Sequence, residues 1–150
     1  MPVGERRTFV FAANDNDIVA EESFVMPIHH FTLATQDLET SSRFYQAVFD
    51  WKIVERPGNV PVGGVWLSIP GGQQLHLTEV PDFHASQFED EFGRHVALSV
   101  PDAELDQIRA KLIEQGADII PPKRGTSHRR LFFRDPDRYG IEVIGTTGDG

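Results

Sequence analysis

Two stretches of this sequence repeat one pattern at a spacing of 65 residues. Residues 30–48 read HFTLATQDLETSSRFYQAV and residues 95–116 read HVALSVPDAELDQIRAKLIEQG. In each, a histidine (His30, His95) opens a short alternating strand. An aspartate (Asp37, Asp102) follows seven positions later, and an amphipathic helix begins there. A period of that size in a chain of 150 residues means two copies of one supersecondary unit. Two related halves that each open on a histidine point to a site built between them.

The spacing of apolar residues fills in the unit. Phe31 and Leu33 alternate with His30, Thr32 and Ala34, the period of a strand with one apolar face. Asp37 is placed as a helix N-cap, and Leu38, Ser42, Tyr45, Val48 and Phe49 recur at helical spacing. Strands are expected at 51–55, 64–69 and 74–80, separated by Pro/Gly turns at 57–61 and 70–72. The order is βαβββ. The second unit repeats it: a strand at 95–100, a helix capped by Asp102 and stopped by Gly116, then strands at 118–120, 130–134 and 141–144. The fold class is α+β, one domain over 27–145 with modules at 27–80 and 94–145 joined by a linker at 81–93. Residues 1–26 have no counterpart in the repeat and read as a flexible arm, and 146–150 as a disordered tail.

Strand parity then isolates four polar residues. His30, His76, His95 and Glu142 each sit between apolar or non-matching neighbours, so they face away from the helices while Phe31, Leu33, Leu75, Leu77, Val96, Leu98, Ile141 and Val143 pack beneath them. His76 and Glu142 are themselves 66 positions apart on the last strands of their units, as the other two histidines share the first strands. Two symmetry-related pairs would converge on the pseudo-twofold axis. Three imidazoles and a carboxylate suit a divalent transition ion such as Ni, Zn, Co, Mn or Fe. With no cysteine in the chain, thiolate ligation and disulfides are excluded.

The net charge of −9 argues against nucleic acid or an anionic membrane as partner. No apolar run is long enough to span a bilayer. A cytoplasmic protein acting on a small molecule is the expectation.

These residues resemble the vicinal oxygen chelate superfamily, which includes glyoxalase I, methylmalonyl-CoA epimerase, extradiol dioxygenases, fosfomycin-resistance transferases and bleomycin-binding proteins. The resemblance covers about residues 27–145 and rests on HHFTLATQDLETSSRFYQAVFDW, GGQQLHLTE, GRHVALSV and LFFRDPDRYGIEVI. The last is similar to the family's DPDGN-x-IE ending, with Arg138 and Tyr139 in place of Gly-Asn. The resemblance implies paired βαβββ modules cupped around a divalent ion, with His30, His76, His95 and Glu142 at the ligand positions, and a homodimer. Glyoxalase I enzymes usually carry Glu where this chain has His76. Fosfomycin transferases and extradiol dioxygenases use two His and one Glu. His76 is therefore either a fourth ligand or a base or substrate contact beside a three-ligand centre.

By the superfamily's logic the ion polarises a substrate oxygen and a nearby base moves a proton. Glu142 is the first candidate for that base; Glu55 and Glu79 read as surface charges. Parity places Trp66 and Ser68 in the cup, and the 66-residue offset sends them to Phe132 and Arg134. Arg130 and Arg134 are candidates to bind an anionic substrate, with salt bridges to nearby acids such as Asp135 or Asp137 as their alternative role. His29, His84 and His128 read as surface histidines. The leading expectation is a metal-dependent, glyoxalase-like lyase or isomerase acting next to a carbonyl. The alternatives are a ferrous ring-cleaving dioxygenase and a metal-free ligand-binding protein of the bleomycin-resistance type.

Overall fold

A computed structural model describes residues 26–148. The expected arm at 1–26 and the end of the tail fall almost wholly outside that range. Along the chain run β1 (His30–Thr35), α1 (Leu38–Phe49), β2 (Lys52–Val54), β3 (Gly64–Ile69) and β4 (Gln73–Glu79). The second unit supplies β5 (Val96–Pro101), α2 (Leu105–Glu114), β6 (Asp118–Ile120), β7 (Arg130–Arg134) and β8 (Gly140–Thr146). Two βαβββ units are present, as the repeat implied.

Each unit makes its own four-stranded mixed sheet, ordered β1-β4-β3-β2 and β5-β8-β7-β6. The first and last strands of a unit pair in parallel, and β3 and β7 run antiparallel to β4 and β8. β8 continues two residues past the expected end, because Gly145 and Thr146 still find ladder partners in Val100 and Pro101.

Local chemistry explains the helix ends. Asp37 caps α1 as expected: its Oδ1 accepts from the Thr40 backbone N–H at 3.0 Å and its Oδ2 from the Thr40 hydroxyl at 2.8 Å. Asp102 does not cap α2. A short 3-10 turn at Asp102–Glu104 precedes that helix, and the Asp102 carboxylate is drawn to Arg129 at 3.3 Å. Gly116, at a φ of 71°, closes α2 in the left-handed conformation that suits glycine, and Ala117 N–H reaches back to the Leu112 carbonyl at 2.9 Å.

The core lies on the helix side of both sheets. Leu33, Leu67, Leu75 and Leu77 pack with Phe44, Tyr45, Val48 and Trp51, and Leu131, Phe133, Ile141 and Val143 with Leu105, Ile108 and Leu112. Full burial of each such side chain contributes about 2 kcal/mol. Phe133 joins the halves, its ring 5.9 Å from Phe44 and 6.1 Å from Phe49. The DPDRYG turn completes the junction. Tyr45 Oη donates to Asp135 Oδ2 at 2.7 Å, and Asp137 accepts from Ser41 Oγ at 2.6 Å and from Gln36 N–H at 2.9 Å. The modules are thus joined through their helix sides, leaving the opposite sheet faces for other use.

Candidate functional site

Those opposite faces carry the polar residues that strand parity picked out. Register sets His76 between Thr32 on β1 and Trp66 on β3, and sets Glu142 between Ala97 on β5 and Phe132 on β7. In the first module the rings form a stack: His76 lies 4.0 Å from His30 and 3.7 Å from Trp66, centroid to centroid. His76 Nε2 meets Gln74 Oε1 at 2.8 Å, so Nε2 carries the proton and Nδ1 the lone pair. Burial, with His30 and His29 close by, pushes the His76 pKa below the ordinary imidazole value and favours the neutral ring. The His30 and His29 rings also touch, Nδ1 to Nδ1, at 2.8 Å.

The second module holds the other pair. His95 stands just ahead of β5, with Nε2 3.3 Å from Glu142 Oε2 and Nδ1 3.1 Å from the Asp90 carbonyl. A ring N–H given to a backbone carbonyl fixes the tautomer and leaves the other nitrogen open to a ligand-type contact. The ring also meets Phe132 edge-on at 5.5 Å. Glu142 is only 6% exposed, and its Oε1 accepts from Arg130 Nη1 at 3.0 Å.

The structure brings His30 to His76 and His95 to Glu142, but it does not bring all four together. Among the described residues no three His, Asp or Glu side chains gather closely enough to hold an ion jointly. The reason lies in the architecture. Each pair belongs to its own sheet, β1 and β5 are both edge strands, and the modules meet through their helix sides. On the site faces of those edge strands His30, Thr32, Ala97 and Ser99 are exposed.

The other expected site residues divide. Trp66 lies on the site face stacked on His76, while Phe132, on the site face of β7, is buried at 3% exposure against His95 and Arg130. Ser68 Oγ points back to the Lys52 carbonyl at 3.4 Å. Arg134 reaches the Arg138 carbonyl at 3.3 Å. Arg130 takes the salt-bridge role rather than lying open to a substrate: its Nη atoms serve Glu142, Glu91 and the Arg124 carbonyl. Its acidic partners are Glu91 and Glu142 because both sit beside β7 on the site face. His29, His84 and His128 are exposed.

Parity could not find the linker's contribution. Glu89 is 1% exposed, binds Arg94 at 2.6 Å and accepts from Gly140 N–H at 3.1 Å. Asp90 and Glu91 bind Lys123 and Arg130. The signal available was charge complementarity between the acidic EDE at 89–91 and the basic KRGTSHRR at 123–130.

A family model described as the Glyoxalase/Bleomycin resistance protein/Dioxygenase superfamily matches residues 27–143. A metallothiol transferase FosB of Shouchella clausii is 29% identical over 122 residues, covering 77% of each chain. A lactoylglutathione lyase of Neisseria meningitidis serogroup A is 33% identical over 129 residues, covering 79% of this chain and 90% of its own. Among solved structures, a mutant of the fosfomycin resistance protein FosX of Listeria monocytogenes, complexed with Mn(II) and 1S,2S-dihydroxypropylphosphonic acid, superposes with a TM-score of 0.65. It shares 19% identity, over 85% of this chain and 94% of that one. No described helix is long and apolar enough to cross a membrane.

Proposed function

The chain belongs to the glyoxalase/bleomycin resistance protein/dioxygenase superfamily, and from that premise we propose that it is a metal-dependent enzyme in which His30, His95 and Glu142 hold a divalent ion. His76 stands beside them. The observation that carries this reading is the His95–Glu142 pair, with Nε2 and Oε2 3.3 Å apart and each side chain fixed from behind, by the Asp90 carbonyl and by Arg130. A nitrogen and a carboxylate oxygen so presented form half of a His/carboxylate ion site. The Mn(II) bound in the FosX complex and the metallothiol transferase relatives support a metal-dependent reading.

The reading includes a homodimer, in which the first-module face of one copy meets the second-module face of another and joins the two pairs. The exposed β1 and β5 faces are the surfaces available for that union.

A bound ion supplies Lewis-acid stabilisation for negative charge developing on a substrate oxygen. The protein's part is positioning and proton transfer. Glu142, gripped by Arg130 and facing His95, is held still. The base is therefore His76, neutral and with Nδ1 carrying the lone pair. It takes a proton from the carbon next to a substrate carbonyl and returns it to the neighbouring carbon, an isomerisation that conserves atoms. Joined in the dimer, the two faces would set the Trp66 ring beside His76 and the Phe132 ring beneath His95 at the same site.

The second reading is thiol addition to the epoxide of fosfomycin, favoured by the metallothiol transferase relative. There His76 would take the thiol proton. The test is turnover in the presence of Mn(II), Ni(II) or Zn(II). One substrate is an α-oxoaldehyde–thiol adduct and the other is fosfomycin with a thiol. Ion-dependent conversion of the adduct, reduced at least about a hundredfold in His76→Ala, supports the leading reading. Conversion of fosfomycin alone transfers it to the second, and ion-independent or absent turnover of both contradicts the proposal.

A further inference from the structure

We infer that Arg130 is a positioning residue that sets how strongly Glu142 draws a divalent ion, with Glu91 as its counterweight; the inference rests on the assignment of Glu142 as a ligand. Arg130 lies between two carboxylates on the site face. Nη1 binds Glu142 Oε1 at 3.0 Å, and Nη2 binds Glu91 and, at 2.8 Å, the Arg124 carbonyl. The three side chains are nearly closed to solvent, with side-chain exposures of 3% for Arg130, 5% for Glu91 and 8% for Glu142. Phe132 lies under the guanidinium, 5.2 Å from ring centre to Cζ. Glu91 is itself anchored by the Lys123 backbone N–H.

This arrangement divides the work of the Glu142 carboxylate. Oε1 is committed to Arg130, and Oε2 alone faces His95. A single oxygen is thereby offered to the ion. The charges also matter, because side chains this closed to solvent are screened less than surface ones. Glu91, Arg130 and Glu142 together carry one negative charge. Without Arg130 they would carry two, and without Glu91 none.

The repeat supports a role tied to the carboxylate. The position matching Glu142 in the first module is His76, and the position matching Arg130 is Gly64, each 66 residues earlier. Both Arg130 and Gly64 open the third strand of their unit. The arginine occurs in the half that carries the carboxylate, and a glycine stands in its place where the partner is an imidazole.

The test is the dissociation constant for Mn(II), read from the EPR signal of the free ion, on the full chain. Wild type is compared with Arg130→Met, Arg130→Lys, Glu91→Gln and Glu142→Gln, together with their unfolding temperatures without ion. Loss of either partner of a buried ion pair lowers the unfolding temperature. A purely structural role would therefore weaken Mn(II) binding in both single variants. The inference expects opposite signs: Arg130→Met binds about tenfold tighter, Glu91→Gln about tenfold weaker, and Arg130→Lys close to wild type. Should Arg130→Met fail to fold, Glu91→Gln decides, and unchanged or tighter binding there overturns the inference. Shifts of one sign, or none, in the two variants also overturn it. If Glu142→Gln binds as wild type does, the ligand assignment falls and takes the inference with it. If Glu142→Gln weakens binding while Glu91→Gln and Arg130→Met do not move it, this inference alone fails.

Discussion

Tyr139 of the second module accepts a hydrogen bond from the backbone of the first: its Oη lies 3.0 Å from the Ala34 N–H. Tyr139 stands where the superfamily's motif carries asparagine, so the departure has a structural use. The phenol holds the edge strand that bears His30, and its ring stacks on Phe83 of the linker at 5.0 Å. Tyr139→Phe would keep the stacking and leave a half-buried N–H without its partner. The expected loss is about 1–2 kcal/mol of unfolding free energy. Urea denaturation measures it, and amide exchange at Ala34 should accelerate.

The neighbouring departure has the opposite character. Arg138 adopts a φ of 74°, a left-handed conformation that costs a side chain about 1–2 kcal/mol and a glycine little. Among the described residues its guanidinium pairs only with exposed Asp118. Arg138→Gly is expected to leave stability unchanged or raise it by about 1 kcal/mol, read as the denaturation midpoint.

Asp135 makes the fold sensitive to pH. Burial pushes its carboxyl from 3.8 up to about 6, with the charge of Asp137 adding to the rise and hydrogen bonds from Tyr45 and the Tyr139 N–H opposing it. A carboxyl whose folded pKa is raised contributes stability that is fully present below pH 3.8 and lost as pH climbs through about 6. A rise of that size corresponds to about 3 kcal/mol. Tyr45 and Tyr139, both pushed above 10, stay neutral across this window. Asp135→Asn removes the titration. Between pH 4 and 7, wild type should lose about 2–3 kcal/mol relative to the variant in paired urea titrations.

Gly93 fixes the path of the linker. A methyl group there would overlap the Phe88 carbonyl oxygen, a backbone atom that cannot step aside. Gly93→Ala should lower stability by about 2 kcal/mol or more. It should also weaken divalent-ion uptake, because the same segment carries Glu91 and the carbonyl that orients His95.

Much of this was legible in the residues. The repeat of His30/Asp37 at His95/Asp102 exposed the duplicated unit, and period-2 alternation separated Leu75 and Leu77 from His76 and Leu131 and Phe133 from Phe132. Those are local properties of strands. Three features were not local. Asp102 reads as a cap by position, yet its carboxylate is taken by Arg129, 27 residues away. Arg130 reads as either a substrate contact or a salt-bridge partner of nearby acids, and the acids it binds come from the linker and from β8. The His30/His76 and His95/Glu142 pairs are related by the repeat, but the packing of the modules sets where their faces point, and Phe133 against Phe44 and Phe49 joins them through the helix side. Alternation reports which face a side chain occupies, not which other face it meets.

Whether His30, His95 and Glu142 hold a divalent ion is decided by elemental analysis of protein purified without added metal or chelator, with His95→Ala prepared in parallel. The expected result is near-stoichiometric nickel, zinc, cobalt, manganese or iron in the wild type and its loss in the variant. Wild-type protein that is free of metal and also fails to take up added divalent ions would contradict it.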